Sequence, residues 1–223
     1  MNRDGTDPLP AVDDEPVPAA LLAAWQQAET AAYSTVVERP DLYERVIHLV
    51  RRTADHLRLL GGGTSALVAA AERGPRLVAA VVDDSGISPG DMDPDVIARA
   101  ALALRYREVR GEQAALRRLH RLAEGRRAGQ SWVVVEETGA PEGDPFLPYS
   151  RIEVEAGTGR AVLVTTVPDD DFRGVVHQVR ALHLDLGTGA VGSEPGAPEV
   201  ATFPDARTRD AAAVRYRDGD GAP

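Results

Sequence analysis

The sequence predicts an α+β fold: an N-terminal helical half of about four helices, followed by a small antiparallel sheet of about four strands. Three observations lead there. Apolar residues recur at steps of three and four through the first half, the spacing of one helix face. In SWVVVEE, SRIEVEA, RAVLVTTV and HQVRALHLDL they fall at every second position, as along a strand. The middle two of these runs are joined by Ala156-Gly157-Thr158-Gly159, a connection suited to a hairpin because glycine accepts the positive φ of tight turns.

Residues 1–17, acidic and proline-rich with few apolar side chains, read as a disordered leader. The helical region is expected over 18–128. Leu22, Trp25, Ala32, Tyr33 and Val36 approximate helical spacing in the first element, which Pro40 ends. In the second, Tyr43, Ile47, Val50, Ala54 and Leu57 recur at steps of four and three, and Gly61 to Gly63 supply the stop. The short link predicts an antiparallel hairpin with Trp25 and Tyr33 packed on the second helix. Thr64 or Ser65 is placed to cap a short helix that Gly74 and Pro75 interrupt. Asp93 as cap, Pro94 at the first position and Asp95 in the first turn begin a long helix reaching about Glu124, with Gly111 as a weak point.

The character changes at 125–129, and the antiparallel β region is expected over 129–200. Alternation in IEVEA and LHLDL directs Ile152, Val154, Leu182, Leu184 and Leu186 to one face, packed on the helices, and the acidic and His residues to the other. Residues 201–223, ending in RYRDGDGAP, read as a flexible tail.

Missing residue types exclude whole chemistries. Without Cys there is no thiolate nucleophile, disulfide or iron–sulfur ligation, and without Lys no Schiff base and no Walker-type phosphate lysine. The net charge of −10 disfavours unspecific binding to nucleic acid or to an anionic membrane. No apolar run of about 18 residues occurs, and the start is acidic, so neither a membrane span nor a secretory signal is read and the cytoplasm is the expected location.

Several strings imitate functional motifs. Gly187, Gly189 and Gly192 form a G-x-G-x-x-G after a strand-like run, but SEPGAPEV follows where a dinucleotide fold needs a helix. The match between IEVEAGTGRAV and LHLDLGTGAV, thirty positions apart, makes the string a second turn. Asp84-Ser85-Gly86 imitates an aspartic-peptidase string in a helical context, and is read as a helix end. Asp91, Asp93 and Asp95 begin like a calcium loop, yet Val96 stands where glycine is needed. Asp169, Asp170 and Asp171 are read as a solvated loop. His48, His56, His120, His177 and His183 show no ligand spacing; His48 and Asp55, with Glu44, Arg51, Arg52 and Arg58, read as a solvated face with charge pairs. No catalytic, cofactor or metal-binding set is predicted.

One charge feature survives. Between 105 and 127 there are eight Arg, including Arg105 and Arg118, against Glu108, Glu112 and Glu124. Arg107, Arg110, Arg117 and Arg121 share one helix face and form the candidate anion- or partner-binding set. The expected function is that of a non-catalytic adaptor or accessory protein, binding a protein partner through its helical half or an open sheet edge. The alternatives are a regulator binding nucleic acid or another polyanion through 105–127, and an enzyme or small-ligand binder with a site between the two halves.

Overall fold

The computed structural model describes residues 9–13, 15–85, 93–139, 148–169, 174–194 and 200–219. The order is helices first and an antiparallel sheet second, α+β as the sequence predicts: α1 (Ala19–Glu38), a 3₁₀ turn (Pro40–Leu42), α2 (Tyr43–Leu59), α3 (Thr64–Ala71), α4 (Gly74–Ser85), α5 (Pro94–Arg127), β1 (Trp132–Thr138), β2 (Tyr149–Glu155), β3 (Arg160–Pro168), β4 (Val175–Leu184), β5 (Val191–Ser193), β6 (Ala201–Phe203) and α6 (Ala206–Asp218). The contacts divide the chain into a helical unit, 11–114, and a sheet unit, 1–10 with 115–223, the boundary falling inside α5.

In the helical unit, α1 to α4 and the first part of α5 share one apolar cluster that includes Trp25, Val46, Leu49, Leu57, Leu67, Val78, Ile97 and Leu102. Trp25 meets the edge of Tyr106, with ring centroids 6.4 Å apart. Tyr33, expected to pack on α2, faces outward instead, because α1 buries the stripe of Trp25, Ala28, Ala32 and Val36. The buried face of α2 is likewise turned from the expected one: Val46, Leu49, Val50, Thr53, Ala54 and Leu57 point inward and Tyr43 outward. Asp93 caps α5 as expected, its Oδ1 accepting the Asp95 amide at 2.9 Å, and Gly111 leaves the helix unbroken.

Part of the expected leader is ordered by specific partners. Val17 is buried in the helical cluster. The Asp13 carboxylate caps α3, accepting the Ser65 amide at 3.2 Å and the Ser65 hydroxyl at 2.7 Å, while the Thr64 hydroxyl donates to Asp13 and to the Glu15 carbonyl. The cap expected from Thr64 or Ser65 therefore comes from a residue far back in the chain. In the sheet unit, Leu9 packs beside the sheet and the Pro10 carbonyl accepts from His120 Nε2 at 2.8 Å.

The sheet runs β1-β2-β3-β4, with β5 and β6 both paired to the far side of β4, all antiparallel. One face packs on α5 through Leu119 and Leu122, against Val133, Val135, Ile152, Val154, Ala161, Leu182 and Leu184. Leu186, assigned to that face by alternation, lies exposed in the turn after β4. The opposite face, expected to carry exposed acids and His, is covered by α6: Ala212, Ala213 and Tyr216 pack on Tyr149, Val162, Val164, Val179 and Ala181. Residues 201–218 thus form a strand and a helix where a flexible tail was expected. Asp205 caps α6 by accepting the Thr208 amide at 2.8 Å, and Gly219, at φ 84, closes it. The inward stripe of α6 begins with Arg209, so its periodicity carries a charge where an apolar residue would have signalled it.

The two Gly-Thr-Gly strings are equivalent turns. Gly159, at φ 80, donates to the Glu155 carbonyl at 3.0 Å; Gly189, at φ 72, donates to the Asp185 carbonyl at 2.8 Å. Each closes a hairpin: the first joins β2 to β3, with Val154 paired to Ala161, and the second joins β4 to β5, with Leu184 paired to Val191. The G-x-G-x-x-G string is therefore a strand connection, read correctly from its context.

Candidate interaction surfaces

The four arginines singled out in the sequence have different surroundings. Within the helical unit, Arg107 grips Glu29 with both guanidinium nitrogens at 2.6 and 2.5 Å, and this contact raises its pKa. Arg110 is exposed, and its side chain meets no hydrogen-bond or ion-pair partner among the described residues. Within the sheet unit, Arg117 is half-buried, and Arg121 donates to the Val135 carbonyl at 3.2 Å. Neighbouring arginines are also engaged. Arg118 pairs with Glu136 at 2.6 Å, and buried Arg105 holds Glu112 and Glu108 at 2.7 and 2.9 Å.

The Arg121 contact bears on the sheet edge. Val135 stands where the β1–β2 register shifts, between Val134 and Glu136, so one carbonyl is freed from the ladder and Arg121 satisfies it. A bulge and a long cation are two devices that blunt an edge strand against further pairing. Beside this edge lies an open depression of about 420 Å³ lined by Arg121, Glu124, Gly125, Ala128, Gln130, Val133 and Val134.

Beneath α6 lies a polar row that sequence reasoning missed. Tyr149, Thr166, His177 and Phe203 are register partners across β2, β3, β4 and β6. Arg209, only 1% exposed, donates to the Thr166 hydroxyl, lies 5.3 Å over the Tyr149 ring and pairs with Asp210 at 2.9 Å. The Thr166 oxygen is 2.9 Å from His177 Nδ1. Burial, and then the Arg209 charge, lower the His177 pKa, against the opposing pull of Asp205 and Asp210. Tyr149 donates to Glu137 at 3.0 Å, and burial raises its pKa. Tyr149, Thr166, Arg209 and the Nδ1 of His177 each have a partner within the fold, and these contacts hold α6 on the sheet.

The remaining histidines are dispersed: His48 and His183 are exposed, and His56 Nδ1 is 3.0 Å from the Arg52 carbonyl. No three His, Asp or Glu among the described residues gather as metal ligands. Asp84 is exposed in α4, while the Ser85 side chain and Gly86 lie outside the described residues, as do Asp91, Asp170 and Asp171. Among the described residues, no helix is long and apolar enough to cross a membrane.

The outer face of α2 is the second feature not legible beforehand. Expected as a mesh of charge pairs, it shows Arg58 pairing with Asp55 at 3.3 Å and with Glu108 at 2.9 Å. Arg45, Arg51 and Arg52 have no ion pair among the described residues. At steps of three and four, Arg45, His48, Arg52, His56 and Leu59 line one side of α2, with exposed Glu44 and Asp55 beside them on the same face. Large apolar side chains also stand open on this unit: Tyr33 and Val37 on α1 are 49% and 79% exposed, and Tyr43 and Leu59 at the two ends of α2 are 52% and 81% exposed.

Comparison with protein-family models, with curated proteins and with solved structures finds no match for this chain.

Proposed function

We propose that the protein is a non-catalytic adaptor or accessory protein that binds another protein through its helical unit. The observation that carries this reading is the exposure of Tyr33 and Val37, one turn apart on the outer face of α1, beside a core whose Trp25 and Leu49 are closed to solvent. Single exposed apolar residues need no explanation, but an aromatic and a β-branched residue at this spacing make a contiguous patch. Burying each against a partner contributes about 1.5–3 kcal/mol. The guarded β1 edge favours the helical unit over strand addition as the binding mode.

The test is affinity capture of the full chain from its own cells, side by side with a Tyr33→Ala/Val37→Asp variant whose folding is verified by circular dichroism. The expected result is a stoichiometric protein retained by the unaltered chain and lost by the variant. Recovery of no partner, or of the same partner by both, sinks the reading.

A further inference from the structure

We infer that two copies of this chain pair through the outer face of α1, the two helices running antiparallel about a twofold axis. Self-pairing covers Tyr33 and Val37, the patch of the adaptor reading, so an unlike partner has to displace the second copy; the pairing itself does not depend on that reading. Ala19, Ala23, Gln26, Thr30, Tyr33 and Val37 are all exposed and follow one another at alternating steps of four and three. That is the spacing of a coiled-coil seam, on the side of α1 turned away from Trp25, Ala28, Ala32 and Val36. No residue of the seam is charged. The acids of α1 are Glu29, which Arg107 holds, and Glu38, the last residue of the helix. The outer face of α2, by contrast, exposes Glu44, Arg45, Arg51, Arg52 and Asp55.

Three features select a second copy as the occupant. Chains of net charge −10 repel one another, and an uncharged seam lets two of them meet without setting like charges face to face. The seam also tapers, from alanines at its N-terminal end to Tyr33 and Val37, 49% and 79% exposed, at its C-terminal end. A twofold axis midway between Gln26 and Thr30 inverts the taper, so that Ala19 meets the partner's Val37, Ala23 the partner's Tyr33 and Gln26 the partner's Thr30. Large side chains then fill the space beside small ones along the whole seam, whereas parallel pairing would set Tyr33 against Tyr33 and alanine against alanine. The Gln26 side-chain amide can donate to the partner's Thr30 hydroxyl oxygen, whose own proton goes to the Gln26 carbonyl of its own chain at 3.0 Å. Third, neither end of α1 is compensated within the chain: no side chain caps its N-terminus, no acid stands in its first turn and no base in its last. Antiparallel pairing sets opposite dipole ends side by side and brings Glu38 to the N-terminus of the partner helix. From Ala19 to Val37 the seam is about 27 Å long at 1.5 Å per residue and one helix wide, so the interface is small and a dissociation constant on the order of 10 µM is expected.

The test is sedimentation velocity on the purified full chain from about 1 to about 200 µM, a range that brackets the expected dissociation constant. A reversible monomer-dimer equilibrium is expected, holding or tightening as salt is raised, since screening weakens the repulsion between like chains and the seam has no ion pair to lose. Ala23→Glu, which places a carboxylate against the partner's Tyr33, should weaken pairing about tenfold or more. Ala23→Tyr, which crowds two tyrosines, and Tyr33→Ala, which leaves a gap, should each weaken it about fivefold; Ala23→Tyr/Tyr33→Ala, which again sets a large side chain beside a small one, should return it to within about twofold of the unaltered chain. Both positions are exposed in the single chain, so the variants retain the fold, as circular dichroism will verify. A monomer throughout, a dimer that Ala23→Glu leaves unchanged, or a double variant that pairs no more tightly than either single one overturns the inference. So does association that weakens with added salt, which would place the contact on charged side chains. The two readings fail separately: a chain that stays monomeric but still captures an unlike partner from cells removes this inference and keeps the adaptor reading, and a dimer from which no other protein is captured does the reverse.

Discussion

Asp13 and Ser65 stand 52 positions apart in the chain, and the Asp13 carboxylate receives both the amide and the hydroxyl of Ser65. A helix N-terminus leaves amides without intrahelical partners, and here a distant carboxylate supplies the acceptor that a local cap ordinarily supplies. Asp13→Ala should lower stability by about 1 kcal/mol, the usual cost of a lost cap, measured by urea denaturation. The Ser65 hydroxyl, foremost among its hydrogen bonds, lowers the Asp13 pKa. The stabilising contribution is thus full above the ordinary carboxylate pKa near 3.8 and is lost as pH falls through the lower folded value. An Asp13→Ala chain that matches the unaltered one in urea would show the cap to be unimportant.

The twin turns separate two kinds of glycine. A Cβ at Gly159 would lie 2.4 Å from the Leu184 carbonyl oxygen, and one at Gly189 would lie 2.3 Å from that of Ala115, both at positive φ. Alanine at either position should cost more than ~1 kcal/mol, since the left-handed conformation alone costs roughly that much. Gly157, with open space around it, should accept alanine within about 0.5 kcal/mol. Thermal denaturation of the three single variants reads the contrast, and a Gly157→Ala loss as large as the others contradicts it.

Replacing Arg209 with Met keeps much of the volume under α6 but removes the contacts to Thr166, Asp210 and the Tyr149 ring. The Asp210 side chain is half exposed, so water replaces its partner and no buried charge is stranded. The loss should be about 2 kcal/mol, from the cation–π contact and the charged hydrogen bonds. Hydrogen exchange should quicken across α6 before it quickens in α5.

His177 predicts an acid-side slope. Its pKa is lowered in the folded chain by burial and by Arg209, so the unfolded chain binds the proton first as pH falls below about 6.5. Its stabilising contribution is full above that pH and is lost as pH falls through the folded value. His177→Gln should flatten this part of the stability profile. Proton NMR should find the folded imidazole titrating below pH 6.5, and a value above that would contradict the assignment.

Tyr216 predicts the alkaline counterpart. Burial and its hydrogen bond to Glu194 push its pKa up to about 12. It therefore favours the folded state fully below pH 10, and that contribution is lost between pH 10 and about 12 as the unfolded chain ionises first. Absorbance at alkaline pH should show a tyrosine titrating near pH 12 that Tyr216→Phe removes.

The order of helices and strands was legible because each depends on local spacing. Pro40, Gly61 to Gly63 and Asp93 stop or start helices through their own backbone chemistry, and alternation in IEVEA and LHLDL places Ile152, Val154, Leu182 and Leu184 on one face whatever the rest of the chain does. The glycine string was legible for the same reason, since SEPGAPEV after Gly192 could not form the helix that a dinucleotide turn requires. The fate of each arginine was not local. Arg105 and Arg209 are buried while Arg45, Arg52 and Arg110 are open, although all five sit in helices. Burial of a guanidinium depends on which carboxylates, hydroxyls and rings the fold brings to it, as Glu112 comes to Arg105 and Thr166 and Tyr149 come to Arg209. Tertiary structure therefore decided the remote cap on α3, the helix that covers the second face of the sheet, and which basic side chains stay open to solvent.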